Sequence, residues 1–435
     1  MSTIKSQSEI LFKLGIEALN PMQEEAALAI HSQKHIAILS PTGTGKTLAF
    51  LLPIIKQLNP DIDGAQVLII VPSRELAIQI EEVVRNMGSG YKVNALYGGR
   101  SASKDREDLK QTPTILIGTP GRIADKIRRN QFDPTIVKTL VLDEFDKSLE
   151  VGFEDEMKEI IQAVRKSKKT ILTSATQGVT IPKFVNFKNP VYVNYLTGKN
   201  DKLSIKLVQS PEKDKLNTLI SLLRHIGNEP GIIFCNYKDT ISYISDHLLQ
   251  HKVSHACFYG GMEQIDRERS LIKFRNESHQ LLLATDLAAR GLDIPELTFI
   301  IHYQLPHREE EFTHRNGRTA RMQQEGTAYV VQWTGEPLPE FIKNIPEEKL
   351  TEEHLLTPSV WTTLFISGGR KDKISKGDIA GVFIKQGGFE NSDIGTIEIK
   401  QDCAFIAIKK SLAQQAIGKL NNSRIKKKKV RISEA

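Results

Sequence analysis

The stretch His35-Ile-Ala-Ile-Leu-Ser-Pro-Thr-Gly-Thr-Gly-Lys-Thr47 joins an apolar run to a small-residue loop and then to the start of a helix. In that order of elements, backbone N–H groups at a helix N-terminus can gather around phosphate. Gly43 and Gly45 let the backbone turn inward, with Ser40, Pro41, Thr42 and Thr44 completing the loop. Lys46 can then reach the β and γ oxygens of a triphosphate, and Thr47 offers its hydroxyl to Mg²⁺. Ser40 stands where the general pattern has glycine.

Working outward, short apolar runs alternate with helical-period stretches: VLIIV at 67–71, TILIGT at 114–119, LVLD at 140–143 and TILTSA at 170–175. The rhythm restarts after Asn200 with GIIFCN at 231–236, HACFYG at 255–260, LLLATD at 281–286, FIIHY at 299–303 and TAYVVQ at 327–332. Alternation of this kind predicts parallel sheets with crossover helices, hence two tandem α/β lobes. The last stretch changes to β-α-β-β-α-β, a ferredoxin-like split unit of the kind used by RNA-recognition modules. Its first helix opens near Ser375 with Asp378 as a capping partner, and its final strand is expected over 425–432. The expected organisation is lobe 1 at 1–197, a linker at 198–205, lobe 2 at 206–345, a second linker at 346–361 and the tail domain at 362–435.

A chain of 435 residues exceeds what one core usually supports, in keeping with several domains. Its three cysteines lie at no zinc-ligand spacing and read as reduced thiols. The first ten residues lack an apolar leader and no run approaches a membrane span, which predicts a cytoplasmic protein with no membrane partner; a monomer is the expected state. The net charge of +7 is unevenly placed. Residues 364–435 hold 15 Lys and Arg against 7 Asp and Glu, a net of +8, leaving 44 basic and 45 acidic residues upstream. A positive tail suggests a polyanion partner, although a solvated basic surface explains the charge equally well.

Two further motifs join the loop. Val141-Leu-Asp-Glu-Phe-Asp146 sets two carboxylates after an apolar strand, so that Asp143 can hold the Mg²⁺ shell while Glu144 orients and deprotonates the attacking water. His314-Arg-Asn-Gly-Arg-Thr-Ala-Arg321 packs three arginines into one turn-like segment, with Arg318 and Arg321 spaced to project together toward a triphosphate.

With Pro72-Ser-Arg-Glu-Leu-Ala77, Thr119-Pro-Gly-Arg122, Ser174-Ala-Thr176 and Ala284-Thr-Asp-Leu-Ala-Ala-Arg-Gly-Leu-Asp-Ile294, these motifs resemble the DEAD-box helicase family over 15–326. The resemblance implies two RecA-like lobes that hydrolyse ATP with Mg²⁺ to open short RNA duplexes. It further implies that Gln23 reads adenine, that Asp293 contacts the ribose, and that Arg318 and Arg321 act as arginine fingers. Pro72, Arg74, Gly99, Thr119 and Arg122, with Gln264, Arg267, Thr285 and Gly291, would line the RNA track, and Ser174 and Thr176 would couple the two events.

Three departures stand out. Phe145 replaces the family's alanine in the signature tetrapeptide, Ile16 and Ser6 stand where aromatics are usual near adenine, and Phe312 replaces a tyrosine. The tail, with Gly368-Gly-Arg-Lys371 and Lys373, resembles the C-terminal domain of the DbpA group of bacterial helicases. That implies binding to a 23S-type ribosomal RNA hairpin in ribosome assembly, with Arg370, Lys371, Lys373 and the run at 426–429 as contacts. Phe405 is the main aromatic able to stack a base, and it could equally be core. An RNA-binding scaffold and a DNA helicase remain alternatives; intact Lys46, Asp143, Glu144, Arg318 and Arg321 argue against the first, and the RNA-type motifs and tail against the second.

Overall fold

The computed structural model describes residues 4–99, 102–150, 152–176, 181–196, 202–286, 297–320, 325–351 and 354–435. Lobe 1 has β1 (His35–Leu39), β2 (Val67–Ile70), β3 (Val93–Leu96), β4 (Ile115–Gly118), β5 (Thr139–Leu142), β6 (Lys169–Ser174) and β7 (Val191–Asn194); the five apolar runs become β1, β2, β4, β5 and β6, and β3 and β7 lie outside them. Among the described residues they form one sheet in the order β3-β4-β2-β5-β6-β1-β7. Every pairing is parallel. Strands buried on both faces need helices on both sides. Helices Pro21–Ser32, Lys46–Lys56 and Arg74–Met87 bury Ile30, Phe50 and Ile80 against one face. Pro120–Arg128 and Glu154–Ala163 bury Ile123 and Ile160 against the other. Leu39 lies level with Ser174, and Ile70 with both Leu142 and Gly118. The loops after β1, β2, β4, β5 and β6 therefore leave the sheet at one edge, the carboxyl edge where open α/β sheets bind ligands.

The second compact unit holds lobe 2 and the tail. Lobe 2 comprises β8 (Leu203–Ser210), β9 (Gly231–Cys235), β10 (His255–Phe258), β11 (Leu281–Thr285), β12 (Phe299–His302) and β13 (Gly326–Trp333), in the order β10-β11-β9-β12-β13-β8 among the described residues. The acidic segment that reads as a linker is a strap laid along this lobe. Leu207 N–H donates to the Pro346 carbonyl at 2.8 Å and Glu348 N–H to the Leu207 carbonyl at 2.7 Å. The Glu348 carboxylate takes Lys206 at 2.7 Å, and Asn228 Nδ2 donates to the Leu355 carbonyl at 3.2 Å.

The tail has β14 (Trp361–Ile366), β15 (Ile394–Ile399), β16 (Ala404–Lys409), β17 (Arg424–Ile425), β18 (Lys428–Lys429) and β19 (Ile432–Glu434), with helices Lys376–Lys385 and Ala413–Leu420. Its antiparallel sheet runs β15-β16-β14-β19, the split β-α-β order. Ser375 caps the first helix in a reciprocal capping box with Asp378. The single final strand expected over 425–432 is instead a two-stranded hairpin followed by a short strand. Lys426 adopts φ +54°, which turns the chain back on itself before a strand can continue.

One face of the tail sheet is closed by lobe 2. Arg275, at the end of helix Gln264–Arg275, forms a fork to Glu398 of β15 at 2.6 and 2.8 Å. Burial alone would raise the Glu398 carboxyl, but Arg275 outweighs it and holds it below the usual carboxylate range. Ser278 Oγ meets Thr363 Oγ1 at 2.6 Å, and Ser359 Oγ donates to the Glu277 carbonyl. Phe405 is 5% exposed, in edge-to-face contact with Phe365 at 5.6 Å, so it packs as core and offers no open stacking platform.

Two histidines, the buried His302 and the partly buried His279, are held below the usual imidazole range. Burial, then the neighbouring Arg315 charge, push His302 down to about 3. Burial, then Lys273, His255 and Lys410, push His279 down to about 4. Both stay neutral in the fold while the unfolded chain protonates below its ordinary value near 6.5, so their contribution is complete above that pH and is lost as pH falls toward 4 and 3. Taking the unit from pH about 7 to about 5 should cost wild type about 2 kcal/mol more than it costs His302→Gln. Chemical denaturation at the two pH values measures this, and equal losses would count against it.

Candidate active site and RNA-binding residues

The loop after β1 carries Gly43 at φ +85° and Gly45 at φ +86°, conformations open chiefly to glycine. A Cβ on Gly45 would also stand 2.4 Å from Gln23 Nε2. Helix Lys46–Lys56 begins with no side-chain cap, which leaves its first-turn N–H groups available to an anion. Lys46 Nζ donates to the carbonyls of Ser40 at 2.6 Å and Pro41 at 2.7 Å. Thr44 Oγ1 meets Ser40 Oγ at 2.7 Å and donates to the Pro41 carbonyl at 2.9 Å, which braces the loop from within. Asn20 and Gln23 form the capping box of helix Pro21–Ser32. Each also reaches the loop, Asn20 Nδ2 to the Thr44 carbonyl at 3.1 Å and Gln23 Nε2 to the Gly45 carbonyl at 3.3 Å.

Beside the loop, β5 delivers Asp143, 3% exposed, and Glu144, whose φ of +47° is strained for a glutamate. One hydroxyl organises both: Thr173 Oγ1 donates to Asp143 Oδ1 and accepts Glu144 N–H at 3.1 Å. Burial pushes the Asp143 carboxyl up, against the lowering effect of Thr173 and the Lys46 charge. Thr176 Oγ1 donates to Asp146 Oδ2 at 2.9 Å, and Ser174 Oγ accepts Thr176 N–H at 3.0 Å, so the end of β6 is tied to the acidic motif. Phe145 points into the core at 2% exposure, which is why its bulk does not crowd the carboxylates.

The other lobe 1 positions share this edge. Pro72 is buried beyond β2. The Arg74 guanidinium lies against Gly99, where a Cβ would come within 2.7 Å of Nη1. Thr119 precedes helix Pro120–Arg128, and Arg122 holds the fully buried Asp105 through Nε at 2.7 Å and Nη2 at 2.6 Å, with Lys126 on the same carboxylate at 3.2 Å.

In lobe 2 the arginine-rich segment divides. Arg315 belongs to helix Glu309–Asn316 and is 1% exposed. It grips Asp286, the Gln304 carbonyl at 2.8 Å and Asn236 Oδ1 at 2.8 Å, locking the ends of β11, β12 and β9 together. Arg318, 6% exposed, follows the helix with its N–H on the Arg315 carbonyl at 3.0 Å. Arg321, Gly291 and Asp293 lie outside the described residues. Gln264 opens helix Gln264–Arg275, Arg267 stacks over Phe258 at 4.7 Å, and Thr285 ends β11.

In the tail, Gly369 is required by close approach, since a Cβ there would lie 2.6 Å from Cys403 N and from the Lys400 and Gln401 carbonyls. That contact seats Arg370 and Lys371, whose N–H groups bond the Lys400 and Gln401 carbonyls at 2.9 and 3.0 Å. Lys371 pairs with Asp402 at 2.6 Å on the exposed surface, and Lys373 gives its carbonyl to Lys426.

Thr173, Asp146, Asn20 and Asp105 escaped sequence reasoning. Asp146 lies within the quoted tetrapeptide and Asn20 beside Gln23. Thr173 and Asp105 gave no local signal, because their partners are 30 and 17 residues away.

The DEAD/DEAH box helicase family matches residues 20–184, the helicase conserved C-terminal domain 214–323, and the DbpA RNA binding domain 363–434. The chain is 30% identical to the ATP-dependent RNA helicase DbpA of Bacillus subtilis, over 97% of this chain and 96% of that protein. It is 31% identical to the ATP-dependent RNA helicase DbpA of Escherichia coli, over 97% and 95%. Among solved structures, Mss116p bound to ssRNA and AMP-PNP aligns with TM-score 0.69 at 26% identity, over 77% of this chain and 73% of that one. S. cerevisiae Dbp5 bound to RNA and ADP BeF3 aligns with TM-score 0.65 at 25% identity, over 75% and 87%. With two RecA-like lobes, an ATP-binding loop and a DbpA-type RNA-binding tail, the chain belongs to the DEAD-box ATP-dependent RNA helicases, in the DbpA-like group.

Proposed function

We propose that this helicase acts on large-subunit ribosomal RNA during ribosome assembly, recruited to a 23S-type hairpin by its tail and working as a cytoplasmic monomer. The observation that carries the reading is the tail: a DbpA-type domain over 363–434 coincides with the region that holds the chain's positive charge. Among the described residues no helix is long and apolar enough to cross a membrane.

Within lobe 1, the loop from Ser40 to Thr47 takes the phosphates, Lys46 leaves its carbonyl partners for the β and γ oxygens, and Gln23 reads adenine. Thr47 and Asp143 are oxygen donors that suit Mg²⁺, and a divalent cation would supply the counter-charge that a buried carboxylate needs. When bound, Mg²⁺ neutralises charge developing on the phosphates. Glu144 orients and deprotonates the attacking water. The Thr176–Asp146 bond supports a coupling role for Ser174 and Thr176. Pro72, Arg74, Gly99, Thr119 and Arg122, with Gln264, Arg267, Thr285 and Gly291, line the RNA track; Asp293 meets the ribose and Arg318 and Arg321 the triphosphate.

The test is ATP turnover of the full chain with ribosomal RNA fragments and with an unrelated duplex of the same length. Ribosomal RNA should stimulate at concentrations where the generic duplex does little. Equal stimulation by both would refute the targeting and leave the helicase assignment in place.

A further inference from the structure

The lysine run at 426–429 is divided by the hairpin that contains it. Pairing in the hairpin sets Ile425 opposite Lys428 and Arg424 opposite Lys429. Because side chains alternate across a strand, the first pair faces the domain and the second faces away. Ile425 is fully buried and Lys428 half-buried, and Lys426, exposed in the turn, is held with Lys428 by carboxylates of the domain. Lys426 Nζ takes Asp378 at 2.8 Å and the Lys373 carbonyl at 2.6 Å, while Lys428 takes Asp372 at 3.5 Å. Lys426, then Ser375, lower Asp378 to about 2. These inner contacts account for a lysine holding φ +54° at a turn position that favours glycine or asparagine.

The outer side has the opposite character. Arg424, Lys427 and Lys429 are exposed, and Arg431 joins them, exposed between the buried Val430 and Ile432. None of these four side chains forms an ion pair with any described residue. Elsewhere in the tail, Lys371, Lys400 and Lys409 each have a carboxylate partner, and Lys376, Lys385 and Lys410 have none among the described residues, but the hairpin sets Arg424 and Lys429 directly opposite one another. Like charges placed directly opposite in a two-stranded ladder repel one another, so the Arg424–Lys429 pair destabilises the free hairpin. The sheet face on which an RNA-recognition module would stack bases is meanwhile covered by lobe 2, through Arg275 and Glu398.

We infer that the outer face of this hairpin, formed by Arg424, Lys427, Lys429 and Arg431, is a phosphodiester-binding face that tracks the backbone of a folded RNA, whereas Lys426 and Lys428 are structural. The inference rests on the tail's engaging RNA, and it deepens that reading by assigning the contact to four residues and one ligand chemistry. Backbone contacts of this kind fix position and affinity and do not read sequence.

The experiment compares full-length proteins without nucleotide, by anisotropy of a labelled ribosomal RNA hairpin fragment and of an unrelated duplex, each titrated with KCl from about 50 to about 200 mM. Replacing the four outer residues with glutamine should reduce the magnitude of the slope of log K against log salt by about 3.6, at ~0.9 for each of four lost phosphate contacts, on both RNAs. Its melting temperature should equal or exceed that of wild type, since the Arg424–Lys429 repulsion is removed. Replacing Lys426 and Lys428 with glutamine should lower the melting temperature and leave the slope, read well below melting, within about 0.5 of wild type. An unchanged slope in the outer variant, or an equal loss per charge in the inner one, would overturn the assignment. Each slope is read on one RNA at a time, so the result stands even if wild type binds both RNAs alike, the outcome that refutes ribosomal targeting.

Discussion

Lys46→Ala should abolish ATP hydrolysis, and Glu144→Gln should leave an enzyme that binds ATP and RNA but turns over at least ~100-fold more slowly. The two variants fail for different reasons. Lys46 is 9% exposed and already satisfied by the Ser40 and Pro41 carbonyls, so its exchange onto phosphate oxygens retains its hydrogen bonds and adds charge neutralisation. Alanine removes that charge from ground state and transition state alike, and ATP affinity should fall with turnover. Glu144 has its backbone pinned by Thr173, so glutamine keeps the geometry and loses only the proton acceptor. Nucleotide-dependent RNA retention should therefore lengthen in Glu144→Gln and disappear in Lys46→Ala. Near-normal turnover in either would sink the assignment of this loop and acidic pair.

Arg318→Ala should cut kcat by ~10³-fold or more while ATP affinity without RNA stays within about 3-fold of wild type. An arginine that engages the triphosphate only in the RNA- and ATP-loaded enzyme stabilises the transition state more than the ground state. Arg315→Ala provides the contrast. Its guanidinium is enclosed by Asp286, Gln304 and Asn236, so its loss strands a carboxylate and should lower the stability of this lobe by about 3–5 kcal/mol. A loss in Arg318→Ala confined to KM, with kcat intact, would remove it from the role of arginine finger.

Much of this was legible because the signals are local. The parallel sheets follow from runs such as VLIIV, whose near-continuous apolar character suits only strands buried on both faces. The phosphate loop follows from glycines whose positive φ a chain with side chains avoids, and the capping of helix Lys376–Lys385 from Ser375 and Asp378 three residues apart. The hairpin near the end of the tail was not legible, because a run of lysines carries no alternation of burial to mark where a turn falls.

The sequence by itself indicated the α/β rhythm of both lobes, the β-α-β-β-α-β plan of the tail and its excess charge, since each depends on residues close together in the chain. Only the tertiary structure decided which polar groups are already committed. Thr173 binds the acidic motif from another strand, Asp105 holds Arg122, Arg315 braces three strand ends, and Lys426 is paired with Asp378 while Lys427, exposed like it, has no carboxylate partner among the described residues. Identical side chains in one run differ because the fold brings Asp378 and Asp372 within reach of Lys426 and Lys428, and among the described residues brings no carboxylate to Lys427 and Lys429.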